Sequence, residues 1–183
     1  MKLTTPLTSD KLSSLSAGDI IELSGTIYTG RDLAHKRIVD AINAKQTLPF
    51  PLTDSTIFYT GPTPTKPGDI IGSCGPTTSY RMDDLTIPLL DQGLKAMIGK
   101  GQRSKKVINA IKEHKATYFI AIGGVAAQTS EAISKAVIIA YEDLGTEAIR
   151  QLELNNLKLI VAVDSNGNTV FDNYKQYARK TNE

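Results

Sequence analysis

A chain of 183 residues, 40% hydrophobic and 22% charged, is long enough to bury one core and has the composition of a soluble globular domain. A formal net charge of +2 gives no footprint for nucleic acid or a membrane surface, and no apolar run reaches membrane-spanning length. One cysteine, Cys74, excludes an internal disulfide, excludes a thiolate metal or cluster site built by this chain alone, and predicts a reducing, cytoplasmic setting.

The N-terminal "MKLTTPLTSDKLSSL" lacks the apolar segment of a signal peptide. After Gly18-Asp19, "IIELSGTIYTG" predicts a strand interrupted at Gly25. "RDLAHKRIVDAINAK" then has Leu33, Ala34, Ile38, Ala41 and Ile42 at helical spacing, with Arg31 and Asp32 in the first turn. "STIFYTG" reads as a buried strand that Gly61-Pro62 ends. "GDIIGSCGP" repeats the Gly-Asp-Ile-Ile of Gly18 and predicts a short extended segment. "RMDDLTIPLLDQG" predicts a helix to about Gly93, with Pro88 near its start or kinking it. "KAMIGKG" follows as a short strand, and "SKKVINAIKEHKA" as a helix with Val107, Ile108, Ala110 and Ile111 on one face.

"TYFIAIGGVAA" is the clearest buried strand, closed by Gly123-Gly124. In "TSEAISKAVIIAYEDLG", Thr129 or Ser130 is expected to cap a short helix with Glu131 near its positive end. "EAIRQLELNNL" is expected to be helical, "KLIVAVDSNGNTVFDN" a hairpin turning at Ser165–Asn168, and the polar tail from Tyr174 frayed. Strands and helices alternate with no long linker. The expectation is a single α/β domain over residues 1–183, with a central β-sheet and flanking helices.

Three segments, "TGRDLAHKR", "GPTTSYRMD" and "GKGQRS", set a cation beside glycine or hydroxyl groups between a strand and a helix. Ligands gather at such turns in α/β sheets, and helix N-termini favour anions. Arg31, Arg81 and Lys100 are therefore candidates to clamp carboxylates, the arginines through their planar forks and the lysine as a point charge. The plainer readings stand beside these. Arg31 with Asp32 can be a surface pair of little energetic weight. "GKGQRS" lacks phosphate-loop spacing, and Gly123-Gly124 is no dinucleotide fingerprint. His35 is placed on the polar side of its helix, as a solvated residue or a general acid. His114 is placed on the surface, and the two histidines are too far apart in sequence to suggest a zinc site. Cys74 reads as a packing residue rather than a nucleophile. Thr77 and Thr78 read as caps, since a Thr hydroxyl is a poor base unless cations lower its pKa.

Taken together and in this order, "SGTIYTGRDLAHKR", "FYTGPTP", "GSCGPTTSYRMD" and "MIGKG" resemble the C-terminal-type domain of class I iron–sulfur-dependent fumarate hydratases, and equally the beta subunit of L(+)-tartrate dehydratase. The resemblance runs from about Gly18 to the end of "GGVAA". It implies a swivelling β/β/α domain and a hydro-lyase reaction, fumarate to L-malate first and L-tartrate to oxaloacetate as the alternative. It implies a [4Fe-4S] cluster ligated by three cysteines of an alpha partner, not by this chain. By resemblance, Arg31, Arg81 and Lys100 hold the carboxylates of a small dicarboxylate. Thr77 matches the base that removes the C3 proton, and His35 in the same set of motifs is a second catalytic candidate. Gln102 and Arg103 receive no role. The chain alone is expected to be inactive, with an apolar rim for the alpha subunit through which it can also form a homodimer. A non-catalytic module that binds small carboxylates is the reading from a different class.

Overall fold

The computed structural model describes residues 1–121 and 126–172. Gly123-Gly124 and the tail from Tyr174 therefore lie outside the described residues. In chain order the elements are β1 (Lys2–Thr4), α1 (Ser9–Ser13), β2 (Ile20–Thr29), α2 (Asp32–Asn43), β3 (Thr56–Phe58), α3 (Asp83–Asp91), β4 (Ala96–Gly99), α4 (Lys105–Glu113), β5 (Thr117–Ala121), α5 (Ala126–Glu131), β6 (Ile133–Ala140) and β7 (Ile149–Val163). Two 3-10 turns, Ser79–Met82 and Glu142–Glu147, precede α3 and β7.

The strands form one sheet, seven-stranded among the described residues, in the order β1-β2-β3-β4-β5-β7-β6. β2, β3, β4 and β5 run parallel. The long β7 pairs antiparallel with β5 on one side and with β2 on the other, so these five strands close on themselves. β1 joins β2 in parallel, and β6 joins β7 antiparallel.

The near-continuous apolar runs of β3, β4 and β5 follow from burial on both faces, as parallel strands require. Alternate residues enter two cores. Ile57, Tyr59, Met97 and Tyr118 pack toward α2, α3 and α4 with Ala34, Ile38, Leu89, Leu90, Val107 and Ile111. Phe58, Ala96, Ile98 and Phe119 pack on the other face with Ile21, Leu23, Leu159 and the N-terminal Leu7, Leu12 and Leu15. Burying each of these larger side chains contributes about 1.5–3 kcal/mol. The helices form where their apolar spacing matches this surface. The α4 start is capped by Ser104, whose hydroxyl accepts from the Val107 N–H at 3.4 Å. α3 continues to Asp91 with Pro88 inside it.

Three expectations are corrected. Residues 147–157 do not form the expected helix, because the 3-10 turn ends at Glu147 and Ile149–Val163 is one strand. Ile149 and Leu152 are three apart, but pairing with β2 and β6 on both edges overrides that local spacing. Thr129 and Ser130 do not start a helix. α5 ends at Glu131, which lies at the opposite helix end from the one expected, and the β-branched "ISKAVIIA" is β6. The segment 68–76 is not a strand, and it returns to the sheet through an isolated bridge between Thr60 and Pro76. The break expected at Gly25 is present as a register shift between Leu23 and Gly25 in the pairing with β7.

Candidate functional site

Parallel running of β2, β3 and β4 brings their C-terminal ends to one edge of the sheet. The chain leaves β2 at Gly30-Arg31 and enters α2 directly. It leaves β3 through Tyr59 and Thr60, and β4 at Gly99-Lys100. The loop after β3 returns to this edge. The Thr77 N–H donates to the Tyr59 carbonyl at 2.7 Å, the Lys100 N–H to the Thr77 carbonyl at 3.2 Å, and the Ser79 N–H to the Lys100 carbonyl at 3.0 Å. A one-residue bridge pairs Thr78 with Lys100. Backbone hydrogen bonds thus place "GPTTSYR" alongside "GKG".

The side chains continue the cluster. Arg81 Nη2 donates to Thr77 Oγ1 at 2.9 Å. Arg81 Nε lies 3.3 Å from Asp32 Oδ1, and Arg31 Nε lies 3.9 Å from Asp32 Oδ2. Arg31 Nη2 lies 3.6 Å from Glu147 Oε1. Asp32 therefore sits between the two arginines rather than forming a private pair with Arg31. Arg31, Thr77 and Arg81 form one side-chain cluster, and Lys100 joins it through its backbone with its side chain exposed.

Two glycines make this crowding feasible. A Cβ at Gly61 would stand 2.8 Å from Arg31 Nη1 and 3.1 Å from its Cδ. A Cβ at Gly99 would run into Ser79 Oγ and stand 2.9 Å from the Tyr59 ring. Gly61-Pro62 was expected only to end a strand. The structure adds that its bare Cα leaves room for the Arg31 side chain.

His35 requires correction. It is not on a polar face of α2 but wholly buried, on the same side as Ala34, Ile38 and Ala41, and edge-on to Tyr59 at a centroid distance of 5.2 Å. Its Nδ1 lies 2.9 Å from the Arg31 carbonyl. A carbonyl only accepts, so Nδ1 carries the proton and Nε2 presents a lone pair that has no hydrogen-bond partner. Burial holds the ring neutral, with its pKa lowered to about 4. His114 Nε2 lies 3.0 Å from Asp91 Oδ1, joining the ends of α3 and α4.

Arg103, to which the sequence assigned nothing, is a buried hub at 5% exposure. Its Nε donates to Asp83 Oδ1 at 2.6 Å, its Nη1 to the Tyr59 hydroxyl at 3.2 Å and its Nη2 to Thr86 Oγ1 at 2.8 Å. The guanidinium carbon lies 5.3 Å and 5.2 Å from the Tyr59 and Tyr118 ring centroids. Asp83 Oδ2 also accepts the Ser104 N–H at 2.7 Å. Tyr118 donates to the Gly101 carbonyl at 3.0 Å, and its hydroxyl lies 2.9 Å from Ser79 Oγ. These bonds link the chain just after Arg81 to the chain just after Lys100. Asp83 opens α3 and Arg103 lies just before the Ser104 cap of α4, a placement the sequence alone did not connect.

The residues present do not fit an iron–sulfur cluster. Cys74 is fully buried, its Sγ lies 3.4 Å from Thr60 Oγ1, and burial pushes its thiol up to about 11. Among the described residues no group of three His, Cys, Asp or Glu is placed to hold a metal ion. A cleft of about 630 Å³ lies between residues 63–73 and Ser130–Ile133 and includes none of Arg31, Arg81 and Lys100.

Fold and cluster together define an α/β domain that presents cations and a threonine hydroxyl on an open sheet edge. The chain belongs to the family described as Fumarase C-terminus, whose model matches residues 1–174. It is 36% identical over 184 residues to "Putative L(+)-tartrate dehydratase subunit beta" of Methanocaldococcus jannaschii, covering 97% of this chain and 94% of that protein. It is 37% identical over 163 residues to the aerobic class I fumarate hydratase of Escherichia coli K12, covering 88% of this chain but 30% of that protein. Fumarate hydratase 2 of Leishmania major is 34% identical over 163 residues, with 88% of this chain and 29% of that protein covered. The chain thus spans nearly the whole of one relative and under a third of these two fumarate hydratases. No helix among the described residues is long and apolar enough to cross a membrane.

Proposed function

We propose that residues 1–183 form one unit, the beta subunit of a two-part hydro-lyase acting on a four-carbon dicarboxylate. The carrying observation is the contact of Arg81 Nη2 with Thr77 Oγ1 at 2.9 Å, beside Arg31 and against the Lys100 backbone. Arg31, Arg81 and Lys100 bind the substrate carboxylates, and a guanidinium fork suits a carboxylate in two-point contact. Thr77 removes the proton from the carbon next to a carboxylate. Arg81, donating to Thr77 Oγ1, stabilises the alkoxide this requires. The same cations stabilise the enediolate-like charge that builds on the substrate. His35, buried and neutral, holds the Arg31 carbonyl in place rather than acting as a general acid.

The cluster and its thiolates belong to an alpha partner in this proposal, which places both chains in a reducing cytoplasm. Leu33 and Tyr80, exposed at 51% and 65%, adjoin Asp32 and Arg81 and supply an apolar rim for that partner. Hydration of fumarate to L-malate is the first reading. Conversion of L-tartrate to oxaloacetate is the second, supported by the relative of matching length. The test is anaerobic co-expression with a cysteine-rich partner, followed by assays on fumarate, malate and both tartrates. Turnover of one of these acids only when both chains are present is expected. Turnover by this chain alone after iron and sulfide reconstitution would overturn the two-part reading. Malate binding to the lone chain, with no turnover in any assembly, would favour a carboxylate-binding module.

A further inference from the structure

Arg31 is an uncommon residue to begin a helix. It is the N-cap of α2, with φ −127° and ψ −165°, and its side chain makes no cap hydrogen bond. Ser, Thr, Asp and Asn dominate this position because their oxygens accept from free first-turn N–H groups. A guanidinium has donors only. The missing acceptor comes from 114 residues further along the chain, where Glu147 Oε2 accepts the Leu33 N–H at 2.9 Å. The other oxygen, Oε1, lies 3.6 Å from Arg31 Nη2. One carboxylate therefore serves both the helix that Arg31 fails to cap and the arginine itself.

The segment that delivers Glu147 is firmly tied. Arg150 Nη1 donates to the Thr146 and Ala148 carbonyls at 3.3 and 3.1 Å, and Nη2 to the Gly145 carbonyl at 3.2 Å. At the start of the same 3-10 turn, Arg37 meets Asp143 through two hydrogen bonds of 2.8 and 2.5 Å. Gly61 bounds Arg31 as well, since a Cβ there would stand 2.8 Å from Nη1. The Glu147 and Arg31 side chains are 16% and 25% exposed, so the pair is only partly screened by water.

We propose that Glu147 is a positioning residue with two separable tasks: Oε2 caps α2 in place of the Arg31 side chain, and Oε1 fixes the Arg31 guanidinium beside Asp32 and Arg81. The second task rests on the proposed reading of Arg31 as a carboxylate-binding cation. Glu147→Gln separates the tasks, because its amide oxygen still accepts the Leu33 N–H while the charge is gone. Glu147→Ala removes both.

The first measurement uses the full chain and needs no activity. Exchange of the Arg31 Nη–H protons, the side that faces Glu147, and of the Leu33 backbone N–H is followed by nitrogen-15-edited NMR in wild type and both variants. Glu147→Gln should speed Arg31 Nη–H exchange about tenfold and leave the Leu33 amide protected, whereas Glu147→Ala should release both. Unchanged Arg31 exchange in Glu147→Gln overturns the proposal, and so does loss of Leu33 protection in that variant. If Glu147→Ala does not fold, wild type and Glu147→Gln decide. The second measurement uses the assembled two-chain enzyme. Glu147→Gln should raise KM for the dicarboxylate about tenfold with kcat within about threefold, a split that a purely structural cap would not give. An unchanged KM overturns the link to substrate. An assembly in which even the wild type turns over no dicarboxylate defeats the functional reading, and the exchange measurement still decides whether Glu147 positions Arg31.

Discussion

Arg81 and Arg103 belong to neighbouring parts of one structure and have opposite lives. Arg81 has a side chain 48% exposed, 3.3 Å from Asp32 and bonded to a threonine hydroxyl. Arg103 has a side chain with no exposure, 2.6 Å from Asp83 and packed between two tyrosine rings. An exposed pair contributes little net stability, so its partners can be exchanged for a ligand at little cost. A buried pair cannot release either charge without leaving the other stranded in low dielectric. The open edge is therefore suited to binding and the buried hub to holding that edge still. A cation becomes available for chemistry through its solvent exposure, not through its residue type.

The sharpest way to break this comparison is to remove the buried arginine. Arg103→Ala leaves Asp83 buried without its partner and should cost about 3–5 kcal/mol in unfolding free energy. Urea unfolding of the chain reads this directly, and a loss below about 1 kcal/mol would mean the hub does not hold the fold.

His35 should give an effect of nearly the same size, visible only in acid. Its folded pKa is lowered from 6.5 to about 4 by burial. Between those values the unfolded ring binds a proton that the folded ring refuses, so stability falls as pH falls through this window. The full loss is roughly 3 kcal/mol. His35→Asn retains a donor for the Arg31 carbonyl and removes the titration. Wild type should therefore lose stability relative to His35→Asn between pH 6.5 and about 4, and parallel pH profiles would contradict the buried neutral ring.

Arg81→Ala takes the other side of the comparison. It should change stability by less than about 1 kcal/mol, yet lower kcat/KM of the assembled enzyme about 100-fold, because Thr77 loses its cationic donor. Arg103→Lys, in contrast, should lose stability first. If both variants lost stability and activity in the same proportion, the division between working edge and supporting hub would fail.

The same contrast governs what could be read from the sequence. β3 and β4 were legible because parallel strands buried on both faces are apolar throughout, β2 because Ile21, Leu23 and Ile27 are buried among polar neighbours, and α2 and α4 because helices on such a sheet carry a regular apolar stripe. Arg31 and Lys100 each follow a strand end, as their glycine-bearing turns suggested, whereas Arg81 lies in a 3-10 turn that an irregular loop brings back to the same edge. β7 was not legible, since Ile149 and Leu152 are spaced for a helix and only pairing with β2 and β6 decides otherwise. His35 was misplaced because the buried stripe of α2 is wide enough to include it with Ala34 and Ile38. Arg103 in "GKGQRS" received no role from the sequence, because that role appears only once Asp83, Tyr59 and Tyr118 are brought around it. Glu147 was hidden for the same reason, since its partners are 114 residues or more away. Placements set by local spacing were visible, and placements set by closure of the sheet were not.

Gly61→Ala gives the smallest effect and tests the edge at its tightest point. The added methyl would meet Arg31 Nη1 at 2.8 Å and the Thr146 carbonyl at 3.2 Å. The first contact is the end of a flexible side chain, which can swing away, and the second is backbone that must yield by a few tenths of an ångström. Overpacking in a fully enclosed core costs about 1–3 kcal/mol, and a half-open site lies at the low end. Stability should therefore fall by about 1 kcal/mol. Arg31 cannot keep its place over the methyl, so KM should rise while kcat changes less. A variant with unaltered KM and a lowered melting temperature would show that the strain is absorbed at Thr146, and that the guanidinium does not need the bare Cα of Gly61.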